Sequence, residues 1–367
     1  SRKIIFEPKT IKLNEDVYRL KKYSFFLLLI AFIGVLFQYI DRFIIRDAIF
    51  SLDEIVYNRL AVGESGPNIF SIFAALFSPF IFLSFFYFYL LNKIKTLSKS
   101  WFILIFLMII FVISSNLFLG SRSVILIYLV LISGTILMTN KFTIRPIKAI
   151  SYFVLSFFVL MALNGLLSGF RAEAFGMDAF TMIENTVSSH FFNIDQGLID
   201  TMNNIRFNNL IFYNFYLGII NFSQYYIHGI FELLYLVENF DTKNIAYGSN
   251  NFFIFLKFFA IIKGDLISSS FEPIREGIFT TFLGPSYYDF GFLGGIFFSF
   301  IIAYFFGKIY IKIIDENKIS LVPLYLHLAI IFFFASTVSF FVSAQGLYFI
   351  VAFSINHLIY NINFTFK

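Results

Sequence analysis

Long apolar runs, separated by short polar breaks, make up most of this chain. A helix needs about 20 apolar residues to cross the hydrocarbon of a bilayer. Eight runs meet that need, at roughly 23–41, 68–91, 101–119, 123–139, 149–168, 285–307, 321–339 and 344–362. Between Gly169 and Gly284 the pattern changes to mixed polar, aromatic and charged sequence. Two stretches inside it, 209–236 and 251–262, are rich in Tyr and Phe but interrupted. The first carries Asn214, Asn221, Gln224, His228 and Glu232, and the second is short for a span. They predict interfacial or re-entrant helices, with a hairpin of two spans as the alternative. Three parts result. Residues 1–168 hold a polar N-terminal segment (1–22) and about five spans, 169–284 form one large segment, and 285–367 hold about three spans.

Composition supports a polytopic membrane protein. Hydrophobic residues are 59% of the chain and charged residues 13%, against about 25% charged in soluble domains. Mean hydropathy is +0.82. Phe is unusually frequent, at 58 of 367 residues. Any apolar residue satisfies a lipid-facing position, so Phe reads as filler before it reads as the lining of a lipid or sugar path. The absence of Cys excludes disulfides, thiolate metal sites and a Cys nucleophile. The first residues, from Ser1-Arg2-Lys3, are basic and polar and lack a signal-peptide pattern. They are expected to form a loop preceded by further helices.

The net charge of +5 is informative only by position, and gives no sign of nucleic-acid binding. The breaks at 92–100, 140–148 and 308–320 are basic, with Lys93, Lys95, Lys99, Lys141, Arg145, Lys148, Lys308, Lys312 and Lys318. The positive-inside rule makes them cytoplasmic, together with 1–22 and the tail. Loop 42–67, the turn Leu119–Ser123 and the long segment then face outward. Cations on that side are mostly Arg: 42, 46, 59, 122, 171, 206 and 275, against Lys243, Lys257 and Lys263. A guanidinium grips phosphate with a planar fork and keeps its charge when partly desolvated. The excess points to an anionic ligand such as a lipid phosphate or pyrophosphate. About half of these arginines are expected to serve ion pairs instead.

Several residues carry candidate chemistry. Arg122 lies in Gly120-Ser121-Arg122-Ser123 between two spans, where it either snorkels or presents its guanidinium at headgroup level. Arg171 is placed just beyond a helix end, with a pair to Glu173 as the plain reading. Arg275 and Glu276 lie in Glu272-Pro273-Ile274-Arg275-Glu276-Gly277. Asp289 follows Tyr287-Tyr288 near the start of a span, where it either caps the helix or acts at membrane depth. The two tyrosines offer a sugar-stacking face. Arg59 is a further candidate for anion binding. His190 and Asp195 have the spacing of a membrane acyltransferase signature, a weak match on the wrong side of the membrane. His327 and His357 read as packing residues. No cluster has metal-ligand spacing and no P-loop occurs, so neither a metal nor another cofactor is expected.

Gly120-Ser121-Arg122-Ser123, Tyr247-Gly248-Ser249 and the run from Gly284 through Tyr287-Tyr288-Asp289-Phe290-Gly291 to Gly294 resemble the O-antigen (oligosaccharide repeat unit) polymerase family of Gram-negative bacteria, the Wzy type. The layout also resembles it, with a smaller outer loop early and a large one late. The resemblance implies an all-α transmembrane bundle of the GT-C glycosyltransferase class with a large helical periplasmic segment, in the inner membrane. It implies a metal-independent enzyme that extends sugar chains carried on undecaprenyl pyrophosphate, with lipid-linked donor and acceptor, the bilayer and a chain-length regulator as partners. Arg122, Arg171, Arg275 and Arg59 then hold the pyrophosphate. Asp289, or next Glu276, takes the acceptor proton, and Tyr287 and Tyr288 contact sugar. The alternatives are an O-antigen ligase, which transfers the chain to a lipid A core, and a flippase or transporter of lipid-linked sugars. A transporter calls for charges along a path within its spans and for internal repeats, neither of which the sequence shows.

Overall fold

The computed structural model describes residues 14–51, 53–64, 68–93, 99–119, 121, 123–139, 146–188, 194–240, 245–256, 259 and 281–365. Its main elements, all helical, are α1 (Asn14–Tyr39), a π-turn (Ile40–Ile45), α2 (Ile55–Glu64), α3 (Ile69–Lys93), α4 (Lys99–Leu117), α5 (Ser123–Thr139) and α6 (Pro146–Ala174). After them come α7 (Ala179–Ser188), α8 (Gln196–Asn208), α9 (Leu210–Asn239), α10 (Leu283–Asp315), α11 (Val322–Phe333) and α12 (Ala344–Thr365). Five are long and apolar enough to cross a membrane: α1 with its π-turn, α3, α4, the end of α6, and α10. The chain is a helical, multi-pass membrane protein. All eight apolar runs of the sequence carry a helix, although α5 and α11 are short.

Helix α3 is the axis of the bundle. Its residues 81–88 are buried on every side, which is how an all-apolar run is satisfied when other helices surround it. Phe82, Phe86, Tyr87 and Phe88 fill this centre. Gly34 of α1 lets the two helices touch, since a Cβ there would lie 2.7 Å from Phe77 Cβ. One end of the bundle, here the lower end, is fastened by Tyr23 Oη donating to Asn356 Oδ1 at 2.8 Å and by Lys93 donating to the Thr139 carbonyl. At the opposite, upper end α1 finishes and α3 begins, with Asn68 Nδ2 donating to Asp41 Oδ1 at 2.6 Å. Phenylalanines occupy both the core and the exposed surface, as expected of a filler.

Four features depart from the sequence reading. Helix α6 continues past residue 168 to Ala174. The interrupted stretch 209–236 is a continuous 30-residue helix, α9, about 45 Å long. It crosses α6 at a close backbone approach. A Cβ on Gly165 would stand 1.8 Å from the Asn214 carbonyl oxygen, and one on Gly218 the same distance from that of Met161. Asn164 Nδ2 donates to the Gly218 carbonyl at 3.1 Å and Asn221 Nδ2 to Ser168 Oγ at 3.0 Å. This is a membrane-type contact, with small residues at the crossing and polar groups bonded across it. The 251–262 stretch is described only in part, with 253–256 helical.

The third departure is α11, which covers 12 residues, about 18 Å of rise, rather than 321–339. Beyond Phe333 the chain turns irregularly to Ser343. The Ala335 carbonyl accepts from Phe282 N at 2.7 Å, which takes it out of any α11 ladder. The fourth is α10. At Gly291 φ is 68° and ψ −176°, so the 283–290 part ends and a second part, 292–315, sets off in a new direction. A Cβ on Gly295 would lie 3.3 Å from Ser286 C and Tyr287 N. In an unbroken helix those positions are about 13 Å apart along the axis, so the short first part doubles back on the span. Gly291 occupies a region of φ/ψ space essentially closed to other residues.

Candidate functional site

The doubled-back start of α10 holds Tyr287, Tyr288 and Asp289. Asp289 has no exposed surface. Its Oδ1 accepts from Asn250 N at 2.9 Å and Asn250 Nδ2 at 3.0 Å. Its Oδ2 accepts from Asn251 N at 2.7 Å and Asn251 Nδ2 at 2.6 Å. The turn is bonded a second time, by Ala246 N donating to the Tyr288 carbonyl at 3.0 Å. Tyr247 and Gly248, at φ 49° and 91°, aim consecutive N–H groups of this turn at the carboxylate. Two short stretches of sequence, 246–251 and 286–291, are therefore one structural unit.

This geometry changes the reading of three residues. Asp289 does not cap α10; it lies at the end of its first part and clamps the 246–251 turn. Four donors fill the acceptor sites of its carboxylate, leaving none for a substrate proton. Tyr287 and Tyr288 are buried. The Phe240 ring stands edge-on to both, at 5.6 and 5.0 Å, and Leu236 packs with them. Their burial leaves little ring surface free to stack on sugar.

The arginines divide by partner. Arg46 donates from Nε to Asp41 Oδ1 at 2.8 Å and from Nη1 to the Val62 carbonyl at 2.6 Å, tying α2 to the π-turn. Arg206 pairs with Asp178 at 2.6 Å and lies 6.0 Å from the Tyr213 ring. Arg171 is not beyond a helix end; it lies in the last turn of α6, half-buried, where a cation complements the helix dipole. Arg59 is exposed on α2. Arg122, Arg275, Glu276 and His190 lie outside the described residues. Asp195, half of the acyltransferase-like spacing, is the N-cap of α8, accepting from Gly197 N at 2.9 Å.

Arg42 is a residue whose surroundings the sequence reading missed. It sits in the π-turn that ends α1. Its Nη1 donates to Ser115 Oγ at 2.9 Å and its Nη2 to Asn116 Oδ1 at 3.0 Å. The Gln38 amide oxygen, turned towards the guanidinium, accepts from Nη1 at 2.9 Å and Nη2 at 3.2 Å. The Asn116 carbonyl accepts from Leu119 N and Ser121 N, so the residue that holds Arg42 also shapes the turn leading into Gly120-Ser121-Arg122-Ser123. A signal was present. Gln38 and Arg42 share one face of an apolar helix, and Ser115-Asn116 interrupts another.

On α9, His228 and Glu232 are both buried, with Nδ1 and Oε1 3.8 Å apart. Gly229 between them packs on the Ser336 and Thr337 carbonyls of the irregular stretch after α11. Beside that contact, α9, α10 and α11 border an open, shallow groove of about 550 Å³, lined largely by apolar groups that include Ile230, Leu233, Phe282, Phe300 and Phe332. Among the described residues no group of His, Asp and Glu has the arrangement of a metal site. No protein-family model matches the chain, and neither a curated protein nor a solved structure does.

Proposed function

We propose that this protein is a glycosyltransferase of the GT-C type that polymerises undecaprenyl-pyrophosphate-linked repeat units into O-antigen polysaccharide at the periplasmic face of the inner membrane. One observation carries the reading. Tyr247-Gly248-Ser249 and Tyr287-Tyr288-Asp289-Phe290-Gly291, which resemble the polymerase family separately, are brought together in one unit, because Asp289 accepts from Asn250 and Asn251, the two residues that directly follow the first stretch, across 39 and 38 positions of sequence. Charge placement supports the sidedness, because the upper end carries arginines and the lower end lysines.

In this reading the growing chain on lipid pyrophosphate is the donor. Its anomeric carbon forms a bond to the acceptor sugar's hydroxyl oxygen as the bond to pyrophosphate breaks. Fixed cations stabilise the departing pyrophosphate, with Arg122, Arg171 and Arg275 assigned to it and Arg59 to its approach. The hydroxyl proton goes to Glu276, because Asp289 is committed to the turn. The groove bordered by α9, α10 and α11 suits the isoprenoid tail. A membrane preparation given only lipid-linked repeat units tests the proposal. Elongation without lipid A core is expected; transfer to core without elongation indicates a ligase, and neither product overturns the glycosyltransferase reading.

A further inference from the structure

Arg42 is a cation whose hydrogen-bond partners are all neutral. Arg46 has Asp41 and Arg206 has Asp178, but among the described residues Arg42 has only the hydroxyl of Ser115 and the amide oxygens of Asn116 and Gln38. Neutral dipoles orient a guanidinium without cancelling its charge, and Asp41, the acid whose field reaches Arg42, is already bonded to Arg46, whose own charge opposes that of Arg42. A half-buried charge left uncancelled at the end of a membrane helix costs free energy that an aliphatic side chain would not. The Nε–H has no partner among the described residues, so one donor remains for an outside ligand. The π-turn Ile40–Ile45 is itself an irregularity of the kind that collects at functional positions. Beside it, Asn116 fixes the 116–121 turn, which brings Ser121 and Ser123, with hydroxyls 3.2 Å apart, to the same end of the bundle.

A planar cation held by its edges at headgroup level, with neutral support, fits a phosphate or pyrophosphate oxyanion. We propose that Arg42, positioned by Gln38, Ser115 and Asn116, binds the phosphate oxygens of an anionic ligand at the upper end of the bundle. The inference rests on the glycosyltransferase reading for its natural ligand, the lipid pyrophosphate. Its chemistry is shared by a lipid headgroup and by free pyrophosphate.

The test measures binding without turnover. The purified full chain in phosphatidylcholine nanodiscs is titrated with undecaprenyl pyrophosphate in the disc and, separately, with inorganic pyrophosphate in the buffer. Saturable binding of either probe is expected, and tighter binding of the lipid identifies the headgroup as the source. Arg42→Gln is expected to weaken binding by roughly tenfold or more, the loss of about one charge-assisted bond. Gln38→Glu keeps the shape and places a carboxylate at the position of the amide oxygen, 2.9 Å from Nη1 and 3.2 Å from Nη2. It should weaken binding to a similar extent while the melting temperature holds or rises, which separates charge cancellation from misfolding. Unchanged binding in both variants, or no binding of either probe by the wild type, overturns the inference. Binding that is lost in the variants while the wild type makes no polymer leaves Arg42 standing and removes the polymerase reading.

Discussion

Asp289 and Arg42 are opposite charges held in the same way, by neutral partners alone among the described residues, yet their surroundings differ. Asp289 is fully buried, and its four acceptor positions are filled by amides of one turn. Arg42 is partly exposed and keeps a donor unused. A saturated charge is committed to architecture, because any ligand must first displace bonds already made. An unsaturated one is available. Saturation therefore separates the two roles better than residue type or nearness to a motif.

The largest effect is expected at Asp289. Asp289→Ala leaves four N–H groups without an acceptor, at a cost of roughly 3 kcal/mol or more. Asp289→Asn should be nearly as severe, because its amide nitrogen faces two donors. Both should reduce folded yield and melting temperature in detergent. A full-length, normally stable Asp289→Asn with no activity would return Asp289 to the chemistry and end the contrast. Next comes Gly291→Ala, expected to cost about 1–3 kcal/mol from its forbidden backbone angles, read as a lower melting temperature. Arg42→Gln should change thermal stability by less than about 1.5 kcal/mol, since Gln38, Ser115 and Asn116 remain within reach of water or of one another. A loss as large as that of Asp289→Ala would make Arg42 structural as well. Arg206→Gln, at a half-exposed ion pair, should cost less than about 1 kcal/mol and leave binding of lipid pyrophosphate unchanged.

The span positions were legible because an apolar run about 20 residues long has few other fates. Helix ends were less so. Arg171 lies within α6 rather than beyond it, because Gly169-Phe170 continues the helix where hydropathy falls. α11 gives way after Phe333 to an irregular stretch whose Ala335 carbonyl is bonded to Phe282, more than 50 residues earlier in the chain, and periodicity does not report such a partner. The Asp289 clamp joins residues 38 and 39 positions apart, so the sequence could mark both stretches but not that they meet. The arginine excess was legible and its division was not. Arg46 takes an acid five positions back, Arg206 one just before α7, and Arg42 forms an ion pair with none among the described residues. Among the described residues, ion pairs of the expected kind are seen at Arg46 and Arg206.

The crossing of α6 and α9 has a thermal consequence. The backbones at Gly165 and Gly218 meet with almost no side chain between them, so dispersion and hydrogen bonds across Asn164, Ser168 and Asn221, rather than burial of large apolar groups, carry the contact. Attraction of that kind lacks the large heat-capacity change that makes burial from water weaken in the cold. The clasp between these two helices should therefore hold its strength on cooling, when contacts formed by burial from water loosen.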